Sequence, residues 1–399
     1  MKINIDVKKI NEILTRGVVE VINKKNLTDK LISGKQLRIK FGVDPTSANI
    51  HLGRSVPILK LRDFQEMGHK IVFIIGDFTG TIGDTSDKES ERPMLSKKEI
   101  KENMKTYFSQ VGKILDMKKV EQEYNSKWLK KLRYSEIGEQ ANIFSVADFI
   151  ARDNIKKRLD LGKRVSLKEM LYPIMQGYDS VSVRSDVEIG GTDQRFNMLS
   201  GRKLQQHFGQ APQDIIMVDL ITGLDGRKMS SSWGNTINIT DEPNDMYGKI
   251  MSMNDCNIIE YFISTTRVPI NEIDKIKNGL DNGKTHPKDV KMRLAREVTM
   301  FYYGRKRAQA AEENFIKTFQ KKGIPRDINS VSVNSGEKLI DIITKEGIVK
   351  SKKETRRLIS SGAIKNMDKN EKINDTDFKI ENSATFKIGK RQFIKINVI

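Results

Sequence analysis

The hydrophobic positions in the first 75 residues follow two different periods. Over residues 1–37 the apolar side chains recur three to four positions apart, which predicts an amphipathic helical segment. They are Ile10, Ile13, Leu14, Val18 and Val21. A further helix is predicted over 55–68, where Gly68 ends it. At 71–75 consecutive apolar residues, mostly β-branched, predict a buried parallel strand.

The stretch 40–54 combines a short apolar strand, a proline-containing turn and the start of a helix. With the helix and strand that follow, it predicts a right-handed βαβ unit at the start of a doubly wound parallel sheet. N–H groups in the first turn of a helix have no intrahelical partner and favour a phosphate. Gly53 would let a base or ribose lie against the backbone, and His51 can donate to a phosphoryl oxygen while remaining neutral. The stretch therefore predicts a nucleotide site, although His-Leu-Gly-Arg alone is a weak signal.

A long polar, glycine-rich loop at 76–92 follows the predicted strand. Loops at the carboxyl end of a sheet strand are where ligands bind in doubly wound folds. An ordinary surface connection is the alternative interpretation of this composition. Residues 96–170 are charged and predicted to be mostly helical, and we interpret basic clusters there, such as 127–131, as solvated helix faces.

Polar side chains form a stripe on one predicted helix in the middle of the chain. Tyr172, Gln176 and Asp179 fall at positions i, i+4 and i+7, so they share one helix face. This arrangement favours the wall of a polar pocket, with a mixed surface stripe as the alternative. A strand at 187–190 then enters a Gly-Gly turn followed by polar residues, and 215–218 predicts one more buried strand.

The last third of the chain begins with the helix-start signal Thr240-Asp241-Glu242-Pro243. From there to 322 the periodicity is helical, with an apolar face opposed by a basic one. Residues 323–335 lack periodicity and are interpreted as a linker. Residues 336–399 predict a compact unit of two helices and short strands, the second helix opened by a capping box of Ser351 and Glu354.

Composition limits the class of protein. A length of 399 residues suggests two or three domains, and the single cysteine excludes an internal disulfide or a cysteine-rich zinc site. The formal charge of +19 favours a polyanionic partner, although the lysine-rich composition throughout offers a plainer explanation. Because the sequence has no signal peptide and no run of 18 apolar residues, we expect a soluble cytoplasmic protein.

Several motifs occur together and in a characteristic order. They are Gly42-Val43-Asp44-Pro45-Thr46, His51-Leu52-Gly53-Arg54, Gly83-Asp84, the Tyr172 stripe, Gly190-Gly191-Thr192-Asp193-Gln194 and Lys228-Met229-Ser230-Ser231-Ser232. The motif that begins at His51 resembles the HIGH signature of class I aminoacyl-tRNA synthetases, and the motif that begins at Lys228 resembles their KMSKS signature. Over nearly its whole length the chain resembles the bacterial tyrosyl-tRNA synthetases, which implies a tyrosine–tRNA ligase that forms tyrosyl-adenylate from tyrosine and ATP and then charges tRNA(Tyr).

The resemblance implies a set of residues that bind tyrosine. Asp179 would accept the phenolic hydroxyl, and Gln194 would orient the carboxylate. The ammonium group would be held by Asp84, Tyr172 and Gln176. Thr79 is a further member of the tyrosine site.

It also implies a set of residues that bind ATP. The phosphates would be contacted by Thr46, His51 and Lys228, with Lys88 and Arg92 on a loop that closes over pyrophosphate. Asp44 and Asp193 would bind the tyrosine end or the ribose. The remaining predicted ATP-site residues are Gly53, Arg54, Ser231 and Ser232. Mg²⁺ is expected to arrive with ATP, and no metal held by the protein itself is expected.

The resemblance further implies domains and partners. It divides the chain into a Rossmann-type catalytic domain with an inserted connective and dimer region (1–239), a helical anticodon-recognition domain (240–322), the linker (323–335) and an RNA-binding domain like that of ribosomal protein S-four (336–399). RNA phosphates would be contacted by Lys353, Arg356 and Arg357. A homodimer is expected, and a membrane partner is not.

Three residues depart from the family pattern. Arg54 replaces the last histidine of the first signature, Ser231 replaces the second lysine of the other, and Lys40 stands where many members have a tyrosine that contacts the substrate hydroxyl. Lys40 could instead cap its strand and point outward. Two alternatives remain: the tryptophanyl enzyme, against which Asp179 argues, and a non-catalytic RNA-binding relative.

Overall fold

The computed structural model describes residues 3–84, 86, 95–320, 328–369, 371–389 and 392–399. The chain forms two compact units, Met1–Ala308 and Gln309–Ile399. Among the described helices, none is both long enough and apolar enough to cross a membrane.

The first unit is an α/β structure. Its strands are β1 (Val18–Ile22), β2 (Arg38–Val43), β3 (Lys70–Ile75), β4 (Val120–Tyr124), β5 (Val187–Gly191) and β6 (Asp214–Val218). Its helices are α1 (Val7–Thr15), α2 (Lys24–Ile32), α3 (Leu52–Glu66), α4 (Thr79–Ile82), α5 (Lys97–Met104), α6 (Tyr107–Val111), α7 (Ser126–Leu129), α8 (Tyr134–Ala141), α9 (Val146–Ile150), α10 (Asp153–Asp160), α11 (Leu167–Val183), α12 (Arg195–His207), α13 (Pro243–Ser252), α14 (Ile258–Thr265), α15 (Ile270–Asp281) and α16 (Pro287–Phe315). Helix α16 continues across the unit boundary and is interrupted at Gly304.

The six strands form one sheet in the order β1-β6-β5-β2-β3-β4. All neighbouring pairs are parallel except β1 with β6. Strand β3 is buried along nearly its whole length, as expected for a parallel strand covered by helices on both faces. The order confirms the predicted doubly wound sheet.

Two strands were not predicted by the apolar pattern. Residues 18–22 form β1 instead of continuing the N-terminal helix, because Gly17 adopts a φ of 61° that ends helical geometry and the β-branched residues after it pair with β6. Strand β4 lies within the segment predicted to be mostly helical. Its glutamates at 121 and 123 give a charged edge strand with little hydrophobic signal.

Helices α11 and α12 pack closely against each other, and α11 carries Tyr172, Gln176 and Asp179 of the predicted site. A capping box between Ser166 and Glu169 starts α11. A Cβ atom at Gly177 would lie 2.7 Å from Leu204 and 3.0 Å from the backbone nitrogen of Gly201, so only glycine allows the two helices to approach this closely. The close packing fixes the height of the polar stripe on α11 above the sheet.

The second unit packs two helices on a sheet. Strands β7 (Asn329–Val333), β9 (Ile364–Asn366), β10 (Glu371–Lys372), β12 (Ala384–Ile388) and β13 (Gln392–Val398) form the order β10-β9-β12-β13-β7. Strands β8 (Glu337–Lys338) and β11 (Lys379–Ile380) form a separate pair, and the helices are α17 (Leu339–Lys345) and α18 (Lys352–Ser360). One apolar cluster joins both helices to the sheet.

Two details of the second unit bear on the sequence predictions. Part of the predicted linker at 323–335 is ordered structure, since β7 pairs in parallel with β13 and belongs to the sheet. Ser351 Oγ accepts a hydrogen bond from the Glu354 N–H at 3.2 Å, which is one half of the predicted capping box.

A candidate active site at the carboxyl edge of the sheet

A cavity of about 640 Å³ opens where β2, β3 and β5 end. Its wall includes every predicted tyrosine- and ATP-site residue that the structure describes. They are Asp44, Thr46, His51, Gly53, Arg54, Thr79, Asp84, Tyr172, Gln176, Asp179, Asp193, Gln194, Lys228, Ser231 and Ser232. Lys88 and Arg92 lie outside the described residues. Residues as far apart in sequence as Asp44 and Ser232 are thus brought to one edge of the sheet, as parallel strands require.

Asp179 is almost completely buried beneath one side of the cavity. The indole Nε1 of Trp128 donates to Asp179 Oδ1 at 2.7 Å, and Asn125 Nδ2 donates to Oδ2 at 3.3 Å. Burial raises the pKa of Asp179 to about 7, although Lys40 and these two donors act in the opposite direction. The interpretation of 127–131 as a solvated face is therefore wrong for Trp128, because only its lysine neighbours project into solvent.

Asp44 is the centre of a second cluster. Its carboxylate accepts hydrogen bonds from the Tyr172 hydroxyl at 2.8 Å and from Thr79 Oγ1 at 2.7 Å. Burial and the nearby Asp44 raise the pKa of Tyr172 well above its usual value, so its hydroxyl stays protonated. A Cβ atom at Gly76 would lie 2.0 Å from Asp44 Oδ1, so the turn after β3 requires glycine. Asp44 therefore links β2, α4 and α11.

An amide network connects the other predicted tyrosine-site residues. Gln194 Nε2 donates to Asp84 Oδ2 at 2.7 Å. The fully buried Asn197 lies between two glutamines, with its Nδ2 at 3.1 Å from both Gln194 Oε1 and Gln176 Oε1. The sequence offered no signal for Asn197 because a buried asparagine inside an amphipathic helix resembles an ordinary polar position.

His51 begins helix α3 as its N-cap residue, and the imidazole Nδ1 accepts the backbone N–H of Arg54 at 3.3 Å. This bond leaves the proton on Nε2. Burial, together with the positive charges of Arg54 and Lys228, lowers the pKa of His51 to about 3. At neutral pH the ring is therefore an uncharged donor.

Arg54 has a defined place in the cavity wall. Its guanidinium donates to Thr46 Oγ1 at 2.6 Å, to the Tyr107 hydroxyl at 2.9 Å and to Ser47 Oγ at 3.3 Å. Because Thr46 Oγ1 accepts this bond, its own hydrogen can be directed at a ligand.

The loop with Lys228 is held in place by a buried asparagine. Asn235 Oδ1 accepts the Ser230 N–H at 2.8 Å, and Asn235 Nδ2 donates to the Lys228 carbonyl at 3.0 Å. Lys228 Nζ lies 3.1 Å from Asp193 Oδ2. The role of Asn235 was not predicted, since its hydrogen bonds join groups within one irregular loop.

Lys40 does not point outward. Its side chain is fully buried and forms an ion pair with Glu188 on the neighbouring strand. The suggestion that it caps its strand is therefore wrong, and the sequence could not have indicated a partner that lies 148 residues further along.

The predicted RNA-binding residues belong to the second unit. Lys353, Arg356 and Arg357 are exposed on helix α18. Among the residues that the structure describes, no group of three or more histidine, cysteine or acidic side chains could hold a metal ion.

Sequence comparison assigns the class of protein to which this fold and cavity belong. Residues 33–320 match the family of class I tRNA synthetases (W and Y), and residues 320–394 match the tyrosine–tRNA ligase SYY-like C-terminal domain. The chain is thus a class I aminoacyl-tRNA synthetase.

Curated relatives narrow the assignment. The chain is 42% identical to the tyrosine–tRNA ligase of Thermotoga maritima, over 97% of this chain and 96% of the relative. It is 43% identical to that of Carboxydothermus hydrogenoformans, over 98% of each. The chain therefore belongs to the tyrosine–tRNA ligase family.

Solved structures agree on the fold. Tyrosyl-tRNA synthetase complexed with L-tyrosine from Archaeoglobus fulgidus superimposes with a TM-score of 0.62 over 77% of this chain and 100% of that one, at 22% identity. A C-terminally truncated mitochondrial tyrosyl-tRNA synthetase from Aspergillus nidulans superimposes with a TM-score of 0.65 over 78% of this chain and 94% of that one, at 20% identity.

The raised pKa of Asp179 predicts a pH-dependent cost to stability. Below the pKa of the unfolded state, the Asp179 carboxyl is protonated in both the native and the unfolded protein. As the pH rises to about 7, the carboxyl loses its proton in the unfolded protein first, and this lowers the free energy of unfolding. Asparagine at this position has no proton to lose. We therefore expect the difference in free energy of unfolding between Asp179→Asn and the wild type to shift in favour of the variant by about 2 kcal/mol from about pH 5 to pH 8, at 1.36 kcal/mol per unit of pKa shift.

The measurement is the free energy of unfolding of both proteins at the two pH values. Asp225→Asn is the matched control, because hydrogen bonds from Asn235 and Arg227 lower the pKa of this exposed carboxylate to about 2, below the pH window. A pH-independent difference between Asp179→Asn and the wild type would contradict the prediction.

Proposed function

We propose that this cavity joins L-tyrosine to ATP, forming tyrosyl-adenylate and pyrophosphate, and that the tyrosyl group is then transferred to the 3′ end of tRNA(Tyr). The observation that carries the proposal is Asp179, a buried carboxylate with two fixed donors, in the same cavity as a helix N-terminus flanked by cations. The first feature suits a phenol, and the second suits a nucleotide phosphate.

The tyrosine end is recognised by carboxylates and amides. The hydroxyl of the substrate donates to Asp179 as a third donor beside Trp128 and Asn125. Phenylalanine is rejected because its ring supplies no hydrogen to this desolvated carboxylate. The ammonium group binds Asp84, Tyr172 and Gln176, and the carboxylate is oriented by Gln194. Asp44 and Thr79 support this side through their bonds to Tyr172 and to each other.

The chemical step needs no protein nucleophile or general base. The tyrosine carboxylate is already an anion, and it attacks the α-phosphorus of ATP while pyrophosphate leaves. Catalysis is therefore positioning together with stabilisation of charge on the phosphate oxygens.

The charge is stabilised by donors around the α3 N-terminus. His51 Nε2–H, the Thr46 hydroxyl, Arg54 and Lys228 contact the phosphates, with Lys88 and Arg92 as further cations. Gly53, Asp193, Ser231 and Ser232 accommodate the nucleoside and the signature loop. Mg²⁺ enters with ATP as part of the substrate and neutralises charge on the leaving pyrophosphate.

ATP–pyrophosphate exchange with each of the twenty amino acids in turn tests the proposal. We expect exchange with tyrosine alone, and loss of exchange in Asp179→Ala with tRNA binding retained, because the variant removes only the phenol acceptor. Exchange with tryptophan instead would identify the tryptophanyl reaction. Tight RNA binding without any exchange would identify a non-catalytic RNA-binding protein.

RNA contact by the second unit rests on the exposed cations of α18. A phosphate contact releases counterions, so removal of one contact should reduce the slope of log K against log salt by about 0.7–0.9. We expect this reduction for tRNA binding by Arg356→Ala, with pyrophosphate exchange unchanged. Lys345→Ala, which changes an exposed lysine on the adjacent α17, is the control and should keep the full slope.

A homodimer is the assembly that the first unit favours. The segment from α8 to the start of α11 exposes large apolar side chains, which is typical of a protein interface. They are Tyr134 (94% exposed), Val146 (70%), Leu161 (60%) and Leu167 (85%).

Sedimentation equilibrium checks this assembly. We expect the wild type to have twice the mass of one chain and Leu167→Glu to have the mass of one, because a charge would be buried at the interface. Glutamate is tolerated in a first helical turn, so the fold is kept. Val19→Glu changes another exposed apolar residue and should remain dimeric. A monomeric wild type would contradict the assembly.

A further inference from the structure

A buried ion pair lies at the tyrosine side of the cavity, where Glu188 forms part of the wall, and it has no role in the mechanism above. Lys40 on β2 and Glu188 on β5 are register neighbours in the parallel sheet. Lys40 Nζ lies 2.9 Å from Glu188 Oε1, and the side chains are 0% and 2% exposed.

The ammonium group of Lys40 ties the sheet to helix α11. Besides Glu188, it donates to Ser180 Oγ at 2.7 Å and to the backbone carbonyl of Gln176 at 2.9 Å. Its three hydrogens therefore have three acceptors, two of which are on the helix that carries the polar stripe.

The carboxylate of Glu188 fixes the side chain of the same glutamine. Oε1 accepts from Gln176 Nε2 at 3.1 Å, while Oε2 accepts from Ser180 Oγ at 3.2 Å and from Gln213 Nε2. An ionised carboxylate has no hydrogen to donate, so only the NH₂ end of the Gln176 amide can face it. Gln176 Oε1 is then turned toward Asn197 and remains an acceptor.

Stability alone does not account for the pair. Two charges lose their hydration when buried, and apolar residues of similar volume often stabilise a core equally well or better. An apolar pair at 40 and 188 would, however, leave only the contact with the Asn197 amide to orient the Gln176 side chain.

We infer that Lys40 and Glu188 are positioning residues that hold the Gln176 amide with its oxygen available to the substrate ammonium, and thereby set the strength of amino-acid binding. The inference rests on the proposed function, in which Gln176 binds that ammonium group. Both residues act through Gln176.

Two tyrosine analogues separate this role from a structural one. Tyramine keeps the ammonium group and lacks the carboxylate, whereas 3-(4-hydroxyphenyl)propanoate keeps the carboxylate and lacks the ammonium. Calorimetric titration of the full chain measures the affinity for each. In Glu188→Gln the new amide can face Gln176 in either orientation, so we expect tyramine affinity to fall about tenfold or more, and propanoate affinity to change less than about twofold.

The double variant Lys40→Met/Glu188→Gln covers the case in which an unpaired buried lysine unfolds the single variant. It removes both charges, so the midpoint of thermal unfolding should recover while the selective loss of tyramine affinity remains. Asp214→Asn is the control, because it changes a buried carboxylate on β6 that is paired with Lys30 and does not line the cavity. Both analogues should bind to it as they bind to the wild type.

Equal weakening of both analogues in the double variant, or weakening of neither, would overturn the inference. The titrations contain no ATP, so they report on the ion pair even if the wild type fails to exchange pyrophosphate with tyrosine. Failure of the proposed function would appear only in the exchange assay.

Discussion

An ionised carboxylate can be buried only if donors replace its lost water, and the tyrosine side of the cavity is built around this constraint. Asp179 and Glu188 are buried there and Asp44 is half-buried, and each of the three is met by neutral donors or by one lysine. Asp44 accepts hydrogen bonds from Tyr172 and Thr79. Asp179 accepts them from Trp128 and Asn125. Glu188 accepts them from Lys40 and from two glutamine amides. The donors come from elements far apart in the chain, so the electrostatics of the pocket and the packing of the fold cannot be separated.

The cavity has opposite electrostatic character at its two ends. Acidic and amide groups surround the end proposed for tyrosine, while Arg54, Lys228 and the N-terminus of α3 surround the end proposed for the triphosphate. His51 lies among these cations and is kept neutral by them and by burial, so it adds a directed hydrogen bond without adding charge. The division matches a substrate pair in which one partner brings an ammonium and a phenol and the other brings phosphates.

The sequence predicted the groups whose signal is local. The strand at 71–75, the polar stripe of Tyr172, Gln176 and Asp179, and the glycine turns were visible because side-chain period and turn chemistry are properties of short segments. Trp128 and Asn197 were missed because their roles depend on partners brought near by folding, whereas Asn235 was missed because its irregular loop has no periodic pattern. Strand β1 was missed because its β-branched residues also fit a helical period, and only pairing with β6 decides between the two.

The Asn197 amide has a chemical consequence that follows from counting hydrogens. Its nitrogen carries two hydrogens but lies within hydrogen-bond distance of three oxygens, those of Ser86, Gln176 and Gln194, and among the described residues its own oxygen has no donor. Around Asn197 the described side chains thus present more acceptors than hydrogens. An ammonium group carries three hydrogens and no acceptor, so its chemistry complements this set of oxygens.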